Sequence, residues 1–155
     1  MWAVRDFNMN EDRLWRSLMR LNGMLPRLLD DDLRASGLTL SEFAILLVLS
    51  EGEDGRRRMG DLANAAGLSP SRTTRVVADL ERRGYVDRTR DETDARSAVA
   101  KVTKQGRAVV TTVYPVQVDR AREVLFDHVT SEQVEELAGV LESFLRRVQS
   151  QRPGS

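Results

Sequence analysis

The hydrophobic pattern predicts long helices at both ends of the chain and a buried helix between them. Residues 11–35 carry leucines at alternating three- and four-residue steps, which is typical of an apolar seam on a long helix. Pro26 is expected to bend this helix. A capping box from Thr39 to Glu42 predicts the start of a second helix. Because its body, residues 44–49, is apolar on every side, we expect it at the centre of the fold.

Two short helices around a glycine are predicted next. Residues 51–58 are rich in glycine and charge and are expected to form a loop. Residues 59–66 suit a short helix, and Gly67 suits the tight turn after it. Ser69 can cap the second helix, and Gly84 suits a left-handed position at its C-terminal end. This succession is typical of a helix-turn-helix.

The second of these helices has one apolar face and one polar face. Its apolar face consists of Thr73, Val76, Val77 and Leu80, and its polar face carries Ser71, Arg72, Arg75, Asp79 and Arg82. Arginines and small hydroxyls near a helix N-terminus are groups that read base edges and bind phosphates in a DNA major groove. The alternative is a solvated, arginine-rich face that binds nothing.

A hairpin is predicted behind the helix-turn-helix. Residues 85–90 and 97–103 are short and compatible with β-strands, and the polar residues between them suit a turn. In such a wing, Arg96 at the tip can enter a DNA minor groove, with Asp94 orienting it. The alternative is a surface ion pair between these two side chains.

Two further helices complete the chain. Thr103 can cap a helix over residues 104–129, and a capping box from Thr130 to Gln133 begins the last helix. The last helix repeats apolar residues at three- and four-residue steps, as the first one does. A two-fold dimer would bury both stripes. It would also hold apart its two reading helices, which are the two copies of the second helix of the helix-turn-helix.

The charge of the chain is unevenly distributed. Its 155 residues fit one domain, and their formal net charge is zero. Residues 56–107 nevertheless carry a net charge of +6 and the remainder carries −6, which favours a polyanionic partner for the middle of the chain. Arginine supplies 22 of the 24 basic residues, which suits bidentate contacts with phosphate and guanine, although a coding bias towards arginine would raise the same count.

The sequence offers little for catalysis. It contains no cysteine and one histidine, His128, which argues against disulfides, thiolate metal sites and histidine-based zinc sites. It has no recognisable glycine-rich phosphate loop and no nucleophile with a base, so we expect no enzyme, no cofactor and no metal. No apolar run is long enough for a membrane span, and the N-terminus does not resemble a signal peptide. These features predict a cytoplasmic protein.

Taken in order, these features resemble the MarR (multiple antibiotic resistance regulator) family of winged-helix transcription factors. The resemblance runs from about Leu14 to Leu145 and depends on the order and spacing of several short motifs. The motifs are Leu38-Thr39-Leu40-Ser41-Glu42-Phe43, Leu62-Ala63, Gly67-Leu68-Ser69, Thr74-Arg75-Val76-Val77, Leu80-Glu81-Arg82-Arg83-Gly84-Tyr85-Val86, Asp94-Ala95-Arg96, Val102-Thr103 and Gly106-Arg107.

The resemblance implies a mainly α fold with a small β-wing, in a single domain over residues 1–155. Residues 38–103 would form the winged helix-turn-helix lobe that binds DNA. Residues 11–35 and 104–149 would supply the interlocked dimerisation helices of a homodimer of triangular outline.

The resemblance also implies a sequence-specific repressor that binds a pseudo-palindromic operator in double-stranded DNA. Residues 69–75 would enter the major groove and Arg96 the minor groove, while the helix-turn-helix hydroxyls, Arg88 and Arg90 would bind phosphates. The implied DNA-binding residues are Ser69, Ser71, Arg72, Thr74, Arg75, Arg88, Arg90, Asp94 and Arg96. The alternative is a winged-helix module that contacts other proteins and has no operator-specific DNA binding.

Members of this family often release DNA when a small aromatic or anionic effector binds between the dimerisation and DNA-binding parts. In this chain the candidate lining residues are Trp15, Arg20, Phe43 and Leu47. Side chains can fill such a cleft instead, and packing explains Trp15 better than ligand contact does.

Overall fold

The helices of the chain surround one small sheet. The computed structural model describes residues 6–52, 54–91 and 98–151. Its helices are α1 (Met9–Leu33), α2 (Leu40–Glu51), α3 (Met59–Ala65), α4 (Pro70–Arg82), α5 (Lys104–Val124) and α6 (Ser131–Ser150). Its strands are β1 (Arg56–Arg58), β2 (Val86–Arg90) and β3 (Ala98–Val102), which form an antiparallel sheet in the order β1-β3-β2. The expected mainly α fold with a small β-wing is confirmed.

Helix α2 lies at the centre of the core, as its continuous apolar sequence predicts. Ile45, Leu46 and Leu49 are fully buried, and α1, α3, α4 and α5 all contact this helix. Leu33 of α1 and Leu62 of α3 are buried equally deeply in the same cluster. The two short helices are therefore held against a helix that has no solvated face of its own.

Local capping determines where the long helices begin. The boxes predicted from Thr39 and Thr130 are both present. A third box, which sequence analysis missed, begins α1: the Asn8 side chain accepts a hydrogen bond from the Glu11 backbone, and the Glu11 carboxylate accepts one from the Asn8 backbone. Helix α1 then continues through Pro26.

Strand β1 corrects the loop expected over residues 51–58. Its three residues pair with β3 in antiparallel register, with Arg56 opposite Lys101 and Arg58 opposite Val99. The partner strand lies far along the chain, so no local pattern of residues indicates the pairing.

Helix α5 ends earlier than the helix predicted over residues 104–129. It stops at Val124, and a 3₁₀ turn over Phe126–His128 follows. Nε2 of His128 lies 2.9 Å from the carbonyl oxygen of Glu123. A side chain that folds back onto the last turn in this way occupies an acceptor left over at the helix end.

The apolar stripes of α1 and α6 remain largely uncovered within the chain. Every residue of α6 except Val134 is exposed. The large exposed hydrophobic residues on these two helices are Met9, Leu14, Trp15, Met19, Leu21, Met24, Leu137, Val140, Leu141, Phe144, Leu145 and Val148. An apolar surface of this extent on a folded chain marks a contact with another molecule.

The C-terminal part of α1 is fixed to α5 by an ion pair. Arg120 donates to both carboxylate oxygens of Asp32, at 2.7 and 2.9 Å. These hydrogen bonds hold the pKa of Asp32 below its ordinary value. The bidentate geometry fixes the direction of α1 as it leaves the core.

Candidate nucleic-acid interface

The turn between α3 and α4 has the geometry that a helix-turn-helix requires. Gly67 adopts a φ of +68°, a left-handed conformation that favours glycine. The backbone of Gly67 donates to the carbonyl of Asn64 at 3.2 Å, and that of Leu68 donates to the carbonyl of Ala63 at 3.0 Å. These bonds satisfy acceptors at the end of α3 and define the direction in which the chain enters α4.

Helix α4 begins and ends where its sequence predicts. The Ser69 hydroxyl accepts a hydrogen bond from the Arg72 backbone at 3.3 Å, and Pro70 occupies the first turn. At the other end, Gly84 has a φ of +73°. The buried residues of the helix are Thr73, Val76, Val77 and Leu80, the four that sequence analysis assigned to its inner face.

The opposite face of α4 is exposed and basic. Ser71, Arg72, Thr74 and Arg75 are all exposed there. Arg72 and Arg75 have no carboxylate partner within the parts of the chain that the structure describes, whereas Arg82 is ion-paired with Asp79 on its own helix. The structure therefore brings two arginines together on the first two turns of α4, where a ligand with phosphates or base edges can reach them.

The hydroxyl groups beside these arginines have defined orientations. The Thr74 hydroxyl donates to the carbonyl of Pro70 at 3.0 Å, and the hydroxyl oxygens of Ser69 and Ser71 lie 3.3 Å apart. The Thr74 oxygen can still accept a hydrogen bond, and whichever serine accepts in the contact between Ser69 and Ser71 keeps its own proton to donate.

The wing places two further arginines in line. Arg88 and Arg90 are exposed on β2 and lie opposite Ala100 and Ala98 of β3. Because side chains alternate along a strand, both arginines share a face with the buried Val86. They extend that face beyond the core, towards the loop that joins the two strands.

The tip of the wing carries the two residues that sequence analysis assigned to the minor groove. These residues, Asp94 and Arg96, lie outside the described residues. At the base of the tip, Arg58 donates to the carboxylate of Asp91 at 2.6 Å, and the Asp91 side chain is 7% exposed. This contact, which sequence analysis missed, ties the edge strand β1 to the end of β2.

Part of the basic middle region is structural. Arg57 donates to the carbonyl of Val48 at 3.4 Å, and Arg107 donates to the carbonyl of Ser50 at 3.0 Å. Both carbonyls belong to the last turn of α2, where cations are favoured by the helix dipole. The excess charge that sequence analysis attributed to a polyanionic partner therefore has a second cause.

The four effector candidates lie in two kinds of environment. Trp15 and Arg20 line a surface hollow on α1, together with Phe7, Asp12, Arg16 and Met19. Phe43 is 5% exposed within the core, and Leu47 is partly buried against that core.

The described residues contain no group of three or more histidine, cysteine or carboxylate side chains that could hold a metal ion. No single helix among them has the length and apolar character needed to cross a membrane. The segments Met9–Ser36 and Leu40–Glu51 satisfy that criterion only as a pair bent by 79°.

Comparison with known proteins gives one consistent result. The model of the MarR family matches residues 36–97. The transcriptional repressor MprA of Escherichia coli K12 is 29% identical over 112 residues, which cover 72% of this chain and 64% of MprA. The chain thus spans less than two thirds of the length of this curated relative.

Two solved structures extend the similarity to nearly the whole chain. Sco3205, a MarR family transcriptional regulator from Streptomyces coelicolor solved in complex with DNA, is 31% identical with a TM-score of 0.88, over 97% of this chain and 96% of Sco3205. CouR from Rhodococcus jostii RHA1, solved with p-coumaroyl-CoA, is 28% identical with a TM-score of 0.75, over 86% and 92% of the two chains. Since fold, motif order and sequence identity agree over this length, the chain belongs to the MarR family of transcriptional regulators.

Proposed function

We propose that this protein is a homodimeric repressor that binds a pseudo-palindromic operator in double-stranded DNA and is released by a small effector. The observation that carries the proposal is the outer face of α4, where Arg72 and Arg75 stand exposed beside small hydroxyls. The DNA complex of Sco3205 supports this function, and so does the similarity to MprA, a transcriptional repressor. The protein acts as a regulator in the cytoplasm, and we assign it no catalytic role.

Each part of the interface has a distinct role in the proposed complex. Arg72 and Arg75 read base edges in the major groove, because an arginine fork binds guanine in a bidentate manner. Ser69, Ser71 and Thr74 bind the phosphates that flank the groove. Arg88 and Arg90 bind phosphates from the wing, and Arg96, oriented by Asp94, enters the minor groove.

The uncovered stripes of α1 and α6 are the proposed dimer contact. Residues 11–35 and 104–149 supply the dimerisation helices, and residues 38–103 form the lobe that reads DNA, within one domain over residues 1–155. A two-fold axis through the dimerisation helices presents the same α4 face twice, so the operator is expected to be pseudo-palindromic.

The effector is proposed to be a small aromatic or anionic molecule. The p-coumaroyl-CoA complex of CouR supports an aromatic acyl group of this kind. Trp15 and Arg20 offer an aromatic ring and a cation on one surface hollow. Phe43 lies in the core and Leu47 packs against it, so their participation requires that the core opens beside them when the effector binds.

Two arginine substitutions distinguish base recognition from phosphate binding. Arg75→Ala is expected to weaken binding to the operator by ~1 to 3 kcal/mol, about 5- to 150-fold in Kd, and to relax base preference at one position of each half-site. Arg88→Ala is expected to weaken binding to all sequences alike. It is also expected to reduce the slope of log K against log salt concentration by about one for each phosphate that the variant no longer binds.

The measurement is fluorescence anisotropy with the intergenic DNA beside the gene and with scrambled DNA of equal length, at two salt concentrations. Selective binding by the wild-type protein supports the proposal. Weak and equal binding to both DNAs would instead support a winged-helix module that contacts other proteins. An unchanged operator affinity after Arg75→Ala would show that the reading face has been wrongly assigned.

A further inference from the structure

The N-terminus of α2 is the point where three helices meet through polar groups. The carboxylate of Asp30, near the end of α1, accepts a hydrogen bond from the backbone of Leu40. The carboxylate of Glu42 accepts one from the backbone of Thr39 at 2.7 Å and one from its hydroxyl at 3.1 Å, both through Oε2. The first turn of α2 therefore depends on a side chain from the dimerisation helix as well as on its own cap.

The second oxygen of Glu42 binds the far end of α4. Nη1 of Arg83 donates to Oε1 of Glu42 at 3.1 Å, and Nη2 donates to the carbonyl of Gly37 at 3.0 Å. The guanidinium also lies over the ring of Tyr85, with Cζ 4.9 Å from the ring centre. Arg83 is thus held in one position by an anion, a carbonyl and an aromatic face.

The contact is more strongly constrained than an ordinary surface ion pair. The Glu42 side chain is 11% exposed and that of Arg83 is 34% exposed, whereas both members of the pair between Arg34 and Asp31 are mostly exposed. Partial burial reduces screening by solvent, and the planar fork of arginine fixes direction as well as distance.

Arg83 lies at the opposite end of α4 from the two arginines that are proposed to contact bases. Arg83 is the C-terminal cap of α4, while Arg72 and Arg75 lie on its first two turns. A helix of 13 residues is about 20 Å long, so a tilt of about 5° at its C-terminal end moves its N-terminal end by almost 2 Å. Such a displacement is enough to break hydrogen bonds to base edges, which tolerate a few tenths of an ångström.

We propose that Arg83 is a positioning residue for operator recognition, and that it acts by fixing the angle between α4 and the dimerisation helix α1 through Glu42. The inference rests on the proposed function, since it concerns how two α4 helices are aligned on one operator. Arg83 itself makes no contact with DNA in this proposal. Its loss releases the C-terminal end of α4, so that the two reading helices no longer have one fixed separation.

The test uses half-site spacing, which a purely stabilising role would not affect. The sequence that the wild-type protein protects in the intergenic DNA is prepared with its native spacing and with one or two base pairs inserted or deleted between the half-sites. Binding of the full-length dimer is measured for Arg83→Ala, Arg83→Lys and Glu42→Gln. Arg34→Ala is the matched control, because it removes one positive charge whose partner, Asp31, lies on the preceding turn. Melting temperatures are recorded for every variant.

Arg83→Ala is expected to weaken binding to the native spacing about three- to tenfold and to affect the altered spacings less, so that the dependence on spacing becomes flatter. Arg83→Lys and Glu42→Gln are expected to lie between Arg83→Ala and the wild type, because each keeps part of the contact. Arg34→Ala is expected to retain the wild-type profile.

Two results would overturn the inference. One is a lowered melting temperature after Arg83→Ala with an unchanged spacing profile, which indicates a role in stability alone. The other is a uniform loss of affinity at every spacing, which indicates a direct contact with phosphate. Failure of the proposed function is distinguishable from both, because the wild-type protein would then show no protected sequence and no preference for any spacing.

Discussion

Gly106 occupies a position where the structure leaves no room for a side chain. It is the third residue of α5, and its buried Cα faces the link between α4 and β2. A Cβ built there would collide with the carbonyl oxygen of Tyr85 and lie 2.8 Å from Cγ2 of Val102. The Tyr85 oxygen cannot easily move, because it already accepts a hydrogen bond from the Thr103 backbone at 3.0 Å.

The effect of Gly106→Ala is the difference between two opposing contributions. Alanine is favoured over glycine inside a helix by ~0.5 to 1 kcal/mol. Overpacking of a rigid contact costs ~1 to 3 kcal/mol, and here one of the colliding atoms belongs to the backbone. The collision is therefore expected to dominate, with a net loss of up to ~2.5 kcal/mol in the free energy of unfolding and a fall of up to about 10 °C in Tm.

Gly60→Ala is the matched control for this prediction. Gly60 also lies within a helix, α3, but a Cβ there meets nothing within 4 Å. Only the helix preference remains, so the variant is expected to keep or slightly raise the Tm. Thermal unfolding followed by circular dichroism at one protein concentration measures both variants. Equal Tm values for the two variants would refute the close packing of α5 against the link between α4 and β2.

Two further predictions concern the core and the ion pair on α1. Leu62→Ala, at a fully buried position of α3, is expected to lower the free energy of unfolding in urea by ~2 to 5 kcal/mol, and a loss below ~1 kcal/mol would contradict its place in the core. Asp32 has a lowered pKa in the folded protein, so its contribution to stability is present above its ordinary pKa of about 3.9 and is lost as the pH falls through the folded pKa. Asp32→Asn is therefore expected to lower Tm at neutral pH and to weaken the fall of Tm below about pH 4, and a Tm profile parallel to that of the wild type would contradict the ion pair with Arg120.

The starts of the helices could be predicted from sequence because capping is local. Thr39 and Glu42, or Thr130 and Gln133, satisfy each other's backbone groups within one turn, whatever the rest of the chain does. The same holds for Ser69 before Pro70. The box at Asn8 obeys the same rule, and its Asn-x-x-Glu spacing could have been found in the sequence.

The features that sequence analysis missed depend on residues far apart in the chain. Strand β1 exists because β3 lies beside it, and three arginines in a row give no β pattern of their own. The contact between Glu42 and Arg83 spans 41 residues. The capping box correctly predicts one role of Glu42, but it engages only one of the two carboxylate oxygens and does not indicate the partner of the other.

The apolar seam of α1 shows a limit of a different kind. Its regular leucines predict one continuous covered face, yet Leu14 and Leu21 are about half exposed while Leu25 and Leu28 are partly buried. Hydrophobic burial is non-directional, so the spacing of leucines indicates that a face becomes covered but not which surface covers it. Helix α1 thus packs against the core of its own chain at its C-terminal end. By our proposal, its N-terminal end packs against a second copy of the chain.

By our proposal, this division links the dimer contact of α1 to the position of α4. Its C-terminal part is fixed to α5 through Asp32 and to the start of α2 through Asp30, and the start of α2 in turn holds Arg83 of α4. Any shift of the proposed dimer contact would therefore reach the reading helix through polar groups with fixed geometry. The buried residues Val76, Val77 and Leu80 hold α4 against the core, and these directional hydrogen bonds add the constraint on its angle that our inference assigns to Arg83.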